Sequence, residues 1–451
     1  MAAAMADPSS GELTHRRVLH IAVPIVLSNA TVPILGAVDT GVVGQLGEAA
    51  PIGAVGIGAI ILTAVYWIFG FLRMGTTGLV AQAHGQGDRA EVAALLTRAL
   101  LLGGGFGLVL IAAQLPVFWA GFRLSPASDE VETLARAYMS IRIWSAPAAI
   151  ALYGLTGWLI AQERTRGVLA IQLGMNLLNI GLNFLFVLGF GWGVEGVAVA
   201  TFLSEWLGVG LALWLCRDGF AGGAWKDRAR VFDRVRLVRM GVVNSDILIR
   251  SVLLQAAFVS FLFFGADFGD VTLAANQILL QFLNITAYAL DGFAFAAETL
   301  VGQALGARSV ARLRRGALMT SQWGVVITGA LALGFWAGGG ALIDLMTTAP
   351  EVRQVARDYL PWMIAAPVMG GAAWMLDGIF IGATRTADMR NMMAVSFAVY
   401  VVCVILLLPA FGNHGLWAAL MIFFVARGVT LGLRYPALER DAAGPGMASA
   451  A

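Results

Sequence analysis

One acidic residue in an otherwise apolar run, Asp39 in Pro33-Ile34-Leu35-Gly36-Ala37-Val38-Asp39-Thr40, is the residue of this sequence best placed to do chemistry. An ionisable group at membrane depth costs roughly 2.5–3.5 kcal/mol on insertion scales, so it calls for a function or a partner. Pro24 and Pro33 precede it in the same apolar stretch. Each removes a backbone donor and makes the helix easier to bend. A carboxylate beside a bendable segment can couple proton binding to helix shape. The plainer alternative is an acid that caps or hydrates the outer end of its helix.

Polar company is written further along. Asn176, Asn179 and Asn183 are spaced by three and then four residues, which puts three amides on one helical face. Facing lipid they would be untenable, so that face looks into the protein. Thr201 and Glu205, one turn apart in the next apolar run, are predicted to complete a polar pocket around Asp39. For the asparagines alone, plain interhelical hydrogen bonding serves equally well. Asp291 and Glu298 lie seven apart on one face of a later run and mark a second candidate polar or substrate site, with Arg73 as a counter-charge. Arg142 is another candidate counter-charge for Asp291, Glu298 or Glu205. Asp246 and Arg250, four apart, are expected to neutralise each other. Asp377 reads as structural.

The elements that must hold these residues are membrane helices. Of 451 residues, 59% are hydrophobic and 12% charged, about half the charge that a soluble chain of this size carries. Mean hydropathy is +0.80. The 55 glycines suit a membrane interior, where close packing of small residues holds helices together. Apolar runs fall near 18–42, 52–82, 93–119, 134–160, 168–188 and 194–216, then near 240–264, 272–303, 313–337, 355–382, 391–410 and 415–434.

The two sets of six repeat one another. Leu79-Val80-Ala81-Gln82-Ala83-His84-Gly85 and Leu300-Val301-Gly302-Gln303-Ala304-Leu305-Gly306 are one motif written twice, and Gly157–Ala161 faces Gly378–Gly382 at the same offset. The expectation is an all-α polytopic membrane protein with 12 transmembrane helices. They form two six-helix lobes, related by a pseudo-twofold axis along the membrane normal. Its parts are an N-terminal segment (1–17), an N-terminal lobe (18–216), a basic linker (217–239) read as a solvated loop, a C-terminal lobe (240–434) and a tail (435–451). Arginines gather in alternate loops, which predicts cytoplasmic termini and linker. The first 14 residues lack an early apolar core, so no cleavable signal is expected and the first helix directs insertion.

Several stretches together resemble the multidrug and toxic compound extrusion (MATE) family, specifically its DinF-like branch, over nearly all of 18–434. They are Val38–Gly44, Phe71-Leu72-Arg73-Met74-Gly75-Thr76-Thr77-Gly78, the Gln82 and Gln303 motifs, Ala287–Phe293 and Leu376-Asp377-Gly378-Ile379-Phe380-Ile381-Gly382-Ala383-Thr384-Arg385. The resemblance implies a V-shaped antiporter. It would export amphipathic, often cationic compounds by alternating access against an inward proton or sodium gradient. It makes Asp39 the coupling site, with Asn179, position 183 and Thr201 around it, and Pro24 the bending proline. Many relatives hold an aspartate where this chain has Asn183. A sodium ion would lose a hard anionic ligand there, which favours protons.

The energetics allow it. One charge crossing 100 mV is worth about 2.3 kcal/mol, and each pH unit adds about 1.36 kcal/mol. The implied cycle has protonation of Asp39 bend the first span at Pro24 and reshape the cavity. Among other readings, a flippase for lipid-linked saccharides would want basic residues for phosphate. A major-facilitator carrier would want a Gly-x-x-x-Asp-Arg-type loop, which Gly85-Gln86-Gly87-Asp88-Arg89 matches poorly. A channel would predict flux independent of any gradient. No enzyme is expected, since His15, His20, His84 and His414 fall at or near helix ends and form no catalytic set. Cys216 and Cys403 suggest neither disulfide nor metal site. The expected setting is the bacterial inner membrane, with a monomer in the bilayer, small amphipathic substrates, no nucleic acid, and no cofactor beyond the coupling proton or sodium.

Overall fold

The computed structural model describes residues 12–45, 47–124 and 128–443, so the outermost parts of the predicted N-terminal segment (1–11) and tail (444–451) lie outside the described residues. Helices dominate, and no strand occurs among the described residues. In chain order they are α1 (His15–Ala30), α2 (Val32–Gly44), α3 (Ala49–Trp67), α4 (Phe71–Gly85), α5 (Arg89–Ala112) and α6 (Gln114–Leu124). Next come α7 (Asp129–Arg142), α8 (Ala146–Ala161), α9 (Thr165–Asn183), α10 (Gly193–Leu215) and the short α11 (Arg228–Val231). The second half holds α12 (Arg234–Ala266), α13 (Asp270–Gly306), α14 (Val310–Met346), α15 (Pro350–Gly382), α16 (Thr386–Gly432) and α17 (Tyr435–Ala443).

Ten described stretches are long and apolar enough to cross a membrane. The predicted twelve follow once two exceptions are understood. The first span is split into α1 and α2, each too short to count alone. The last two spans run together in α16, which kinks at Gly412 with φ +56°, a left-handed conformation that glycine adopts without penalty. Asn276 and Asn413 exchange amide hydrogen bonds of 2.8 and 3.0 Å beside that kink, and Trp417 donates to Asn276 at 3.0 Å.

The repeat is visible in the backbone. Spans two, four, eight and ten all end on a left-handed residue: Gly87, Glu163, Arg308 and Thr384. Gly87 pairs with Arg308 and Glu163 with Thr384 at one shared separation of 221 residues. After Glu163 and Thr384 the chain closes in the same way, Arg164 N–H bonding Leu159 C=O at 2.9 Å and Arg385 N–H bonding Phe380 C=O at 3.1 Å.

By contacts the chain divides into two compact units. One comprises residues up to 26, 81–87 and 239 onward; the other comprises 27–80 and 88–238. In the second unit, Gly103 and Gly107 of α5 lie directly on Ala151 and Pro147 of α8, too close for any side chain. In the first, Gly378 and Gly382 of α15 lie on the carbonyls of Ala294 and Glu298 of α13. This is the small-residue packing that association in lipid demands. Large side chains such as Leu108, Trp336 and Ile405 face outward, as lipid-facing positions should.

The basic linker is not the solvated loop expected from its composition. Residues 217–231 form short helical turns held to α5. Buried Arg98 donates to the carbonyls of Val231 (2.9 Å) and Arg230 (2.6 Å) and pairs with Glu91 at 2.7 Å. Thr97 bonds the Trp225 carbonyl at 2.8 Å, and Arg236 also pairs with Glu91. One arginine inside the unit thus satisfies carbonyls that a free loop would leave to water.

Candidate functional site

The helical ladder of the first span is interrupted at Thr31, whose backbone keeps right-handed helical angles (φ −84°, ψ −16°). α1 stays helical through Pro24, and Pro33 stands in the first turn of α2, where a missing donor is best tolerated. Thr31 Oγ1 donates to the Ser28 carbonyl at 2.7 Å. From α9, Asn176 Nδ2 donates to Thr31 Oγ1 at 2.9 Å, pinning the break from outside.

The asparagine face of α9 does look inward. Asn179 Nδ2 donates to Thr201 Oγ1 at 2.9 Å, and Thr201 in turn donates to the Val197 carbonyl at 3.1 Å. Asn183 Nδ2 donates to Asn179 Oδ1 at 2.9 Å and to Asp39 Oδ1 at 2.6 Å. A chain of neutral donors therefore runs from α10 through α9 to the half-buried carboxylate of the first span. Asn183 Oδ1 is buried and has no hydrogen-bond partner among the described residues. Directly after Asn183 the helix widens into a π turn over Phe184–Gly189, a departure often found at functional sites.

Replacing Thr201 by valine keeps its shape and removes the acceptor for Asn179. Leaving that buried donor unmet should cost about 1–3 kcal/mol. Thermal unfolding of the purified protein in detergent checks this, with Thr201→Ser expected to keep most of the stability.

Glu205 enters the site at one remove. It pairs with Arg142 at 2.7 Å, not with Asp39. Arg142 also bonds Ser145 Oγ at 2.9 Å, and its carbonyl accepts from Tyr66 at 3.1 Å. The Arg142 charge acts on Asp39, so Glu205 sets the field there indirectly. Sequence left open which acid Arg142 meets, and the structure chooses Glu205. Arg73 lies on α4 in this same unit, where it and Glu205 both act on Tyr153. Asp291 and Glu298 lie on α13 in the other unit, with Glu298 fully buried and Asp291 half-buried. The three do not form a site within one unit.

The expected Asp246–Arg250 pair is not formed. Asp246 instead accepts from Arg390 at 2.5 Å and Thr386 at 3.0 Å, while Arg250 pairs with Asp377. Four residues apart on one helix, both side chains point into the same interhelical space, where partners from α15 and α16 reach them. Arg427, which sequence reading passed over, also bonds Asp377, at 2.5 Å. An arginine inside the apolar run Phe424-Val425-Ala426-Arg427 was the signal available. Among the described residues no group of three or more His, Cys, Asp or Glu side chains is arranged to hold a metal.

Comparison with known proteins agrees with this arrangement of helices. A family model described as MatE matches residues 24–185 and again 247–408, once per repeat. DNA damage-inducible protein F of Escherichia coli (strain K12) is 36% identical over 421 residues, covering 91% of this chain and 90% of its own length. A probable multidrug resistance protein NorM of Pseudomonas aeruginosa is 26% identical, covering 96% and 91%. Among solved structures, the Vibrio cholerae MATE transporter VcmN in its bent form matches with a TM-score of 0.84 at 20% identity. That match covers 95% of this chain and 97% of VcmN, and is a likeness of fold.

Proposed function

We propose, since this chain belongs to the multidrug and toxic compound extrusion (MATE) family of membrane transporters, that it exports amphipathic, often cationic compounds in exchange for inward protons. The family's members are multi-pass transporters of small molecules, not enzymes. The observation that carries the coupling reading is a contrast between carboxylates. Glu205, Asp246 and Asp377 are each met by an arginine, whereas Asp39 is met by an amide. An arginine holds its partner ionised far more strongly than a neutral amide donor does.

The amide also suits both states. With Asp39 ionised, Asn183 donates to it. With Asp39 protonated, the same side chain offers an acceptor, since Asn183 Oδ1 is buried and has no hydrogen-bond partner among the described residues. Nothing in this exchange needs a cation. Sodium would want several oxygen ligands, with anionic ones for affinity, and position 183 supplies only an amide oxygen. By the positive-inside rule the arginine-rich loops and both termini face the cytoplasm, which fits a bacterial inner membrane.

Purified protein in liposomes tests the reading. Export of an amphipathic cation should follow a pure pH gradient and ignore a pure sodium gradient. Sodium-driven export alone would overturn proton coupling. Flux of lipid-linked saccharide without drug export would favour the flippase.

A further inference from the structure

The repeated motif that ends α4 and α13 takes no part in the Asp39 site, yet the structure brings its two copies together. Residues 81–87 belong to the same compact unit as α13. A Cβ on Gly85 would strike the Gln303 backbone, with Cα and carbonyl carbon at 2.7 Å. A Cβ on Gly306 would strike the Gln82 backbone, with carbonyl carbon at 2.9 Å and Cα at 3.1 Å. Each copy's closing glycine thus lies on the other copy's glutamine. Ala81 and Gly302, which hold the same place in the two copies, also touch.

A second reciprocal pair surrounds the first. Arg239 donates to Gln82 Oε1 at 2.7 Å, and Arg17 donates to Gln303 Oε1 at 3.3 Å. Arg17 and Arg239 each open the first span of their own repeat, and each reaches the glutamine of the other repeat. Contacts of this kind, i to j and j to i, are what a twofold axis generates. Gln82 also donates to the Gly382 carbonyl (3.1 Å) and Thr384 Oγ1 (2.9 Å), which fixes its amide for Arg239.

We propose that this reciprocal clasp is a gate, closed in this structure, that parts once in each transport cycle. Its chemistry differs from that of the fixed contacts. The buried arginines Arg98, Arg142, Arg250 and Arg427 all meet carboxylates, whose loss would strand a charge. Arg239 meets the neutral amide of Gln82, and on release both partners can return to water. The glycine contacts are dispersion alone, weak singly and lost together as the helix ends separate. The clasp also joins equivalent corners of the two repeats on the arginine-rich side, where an alternating-access carrier must open one of its two paths. The inference rests on the transport reading above and adds which residues open that path.

Two measurements test it. With Cys216 and Cys403 replaced by alanine, Gln86→Cys and Ala307→Cys place one thiol just past each closing glycine, to be bridged by a short bifunctional thiol reagent that carries its own disulfide. Counterflow of labelled tetraphenylphosphonium in liposomes, driven by its own gradient, does not depend on the coupling ion. Bridging should abolish it and reductant should restore it in the same sample, which excludes misfolding as the cause. Undiminished counterflow with the bridge formed would overturn the gate. Spin labels at Gln86→Cys and Ala307→Cys need no transported substrate. They should show a second, longer distance when pH is changed or tetraphenylphosphonium is added. One unchanging distance under every condition would make the clasp scaffold, while leaving the proton-coupling reading to be judged by the gradient experiment.

Discussion

An Asp39→Asn protein should fold, bind substrate and lose uphill export altogether. The substitution keeps the shape of the side chain and removes only its ability to exchange a proton. Asn183 can still donate to the new amide oxygen, so the chain through Asn179 to Thr201 survives. Loss of structure is therefore not expected, and thermal unfolding should stay close to that of the parent. What disappears is the link to the gradient. One proton moving through 100 mV contributes about 2.3 kcal/mol and one pH unit about 1.36 kcal/mol, together enough for several hundredfold accumulation. The variant should show none of this on a pH gradient while still carrying drug down its own concentration gradient. Uphill export that persisted in Asp39→Asn would remove this residue from the coupling mechanism. Loss of downhill flux as well would point to a general role in conformational exchange.

The second large effect is on stability, and comes from Asp377. This one carboxylate neutralises two buried arginines, Arg250 from α12 and Arg427 from α16. Asp377→Asn leaves both cations inside the unit without a counter-charge. Breaking a buried pair from one side costs about 3–5 kcal/mol, and two arginines share this partner. Expression and thermal stability in detergent should fall sharply. Replacing all three residues together by apolar ones of similar volume should recover much of the loss, since no stranded charge remains. If Asp377→Asn were as stable as the parent, the cluster would not be a structural charge pair. Asp39→Asn and Asp377→Asn thus separate two uses of an intramembrane acid, one judged by transport and the other by unfolding.

Much of the architecture was legible before any coordinates. Hydropathy marked all the spans, including the first, which is broken in two, and the last pair, which runs together at Gly412. The spacing of Asn176, Asn179 and Asn183 placed them on one face, and the structure turns that face to Thr31, Thr201 and Asp39. Where the first span breaks was harder to read. Pro24 and Pro33 each had a claim, and the interruption falls at Thr31, just before the proline that needs no donor.

What the chain alone determined was therefore local or periodic: apolar length, the face shared by residues three and four apart, the doubled motif, the alternation of arginines. Each is a property of neighbouring residues and needs no knowledge of how helices turn toward one another. What only the tertiary structure decided was which charge meets which. Asp246 passes over Arg250 for Arg390, Glu205 holds Arg142, and Gln82 bonds an arginine from the far repeat. A buried charge pairs with whatever counter-charge helix rotation brings within reach, because the cost of leaving it unpaired outweighs any preference for a partner close in sequence.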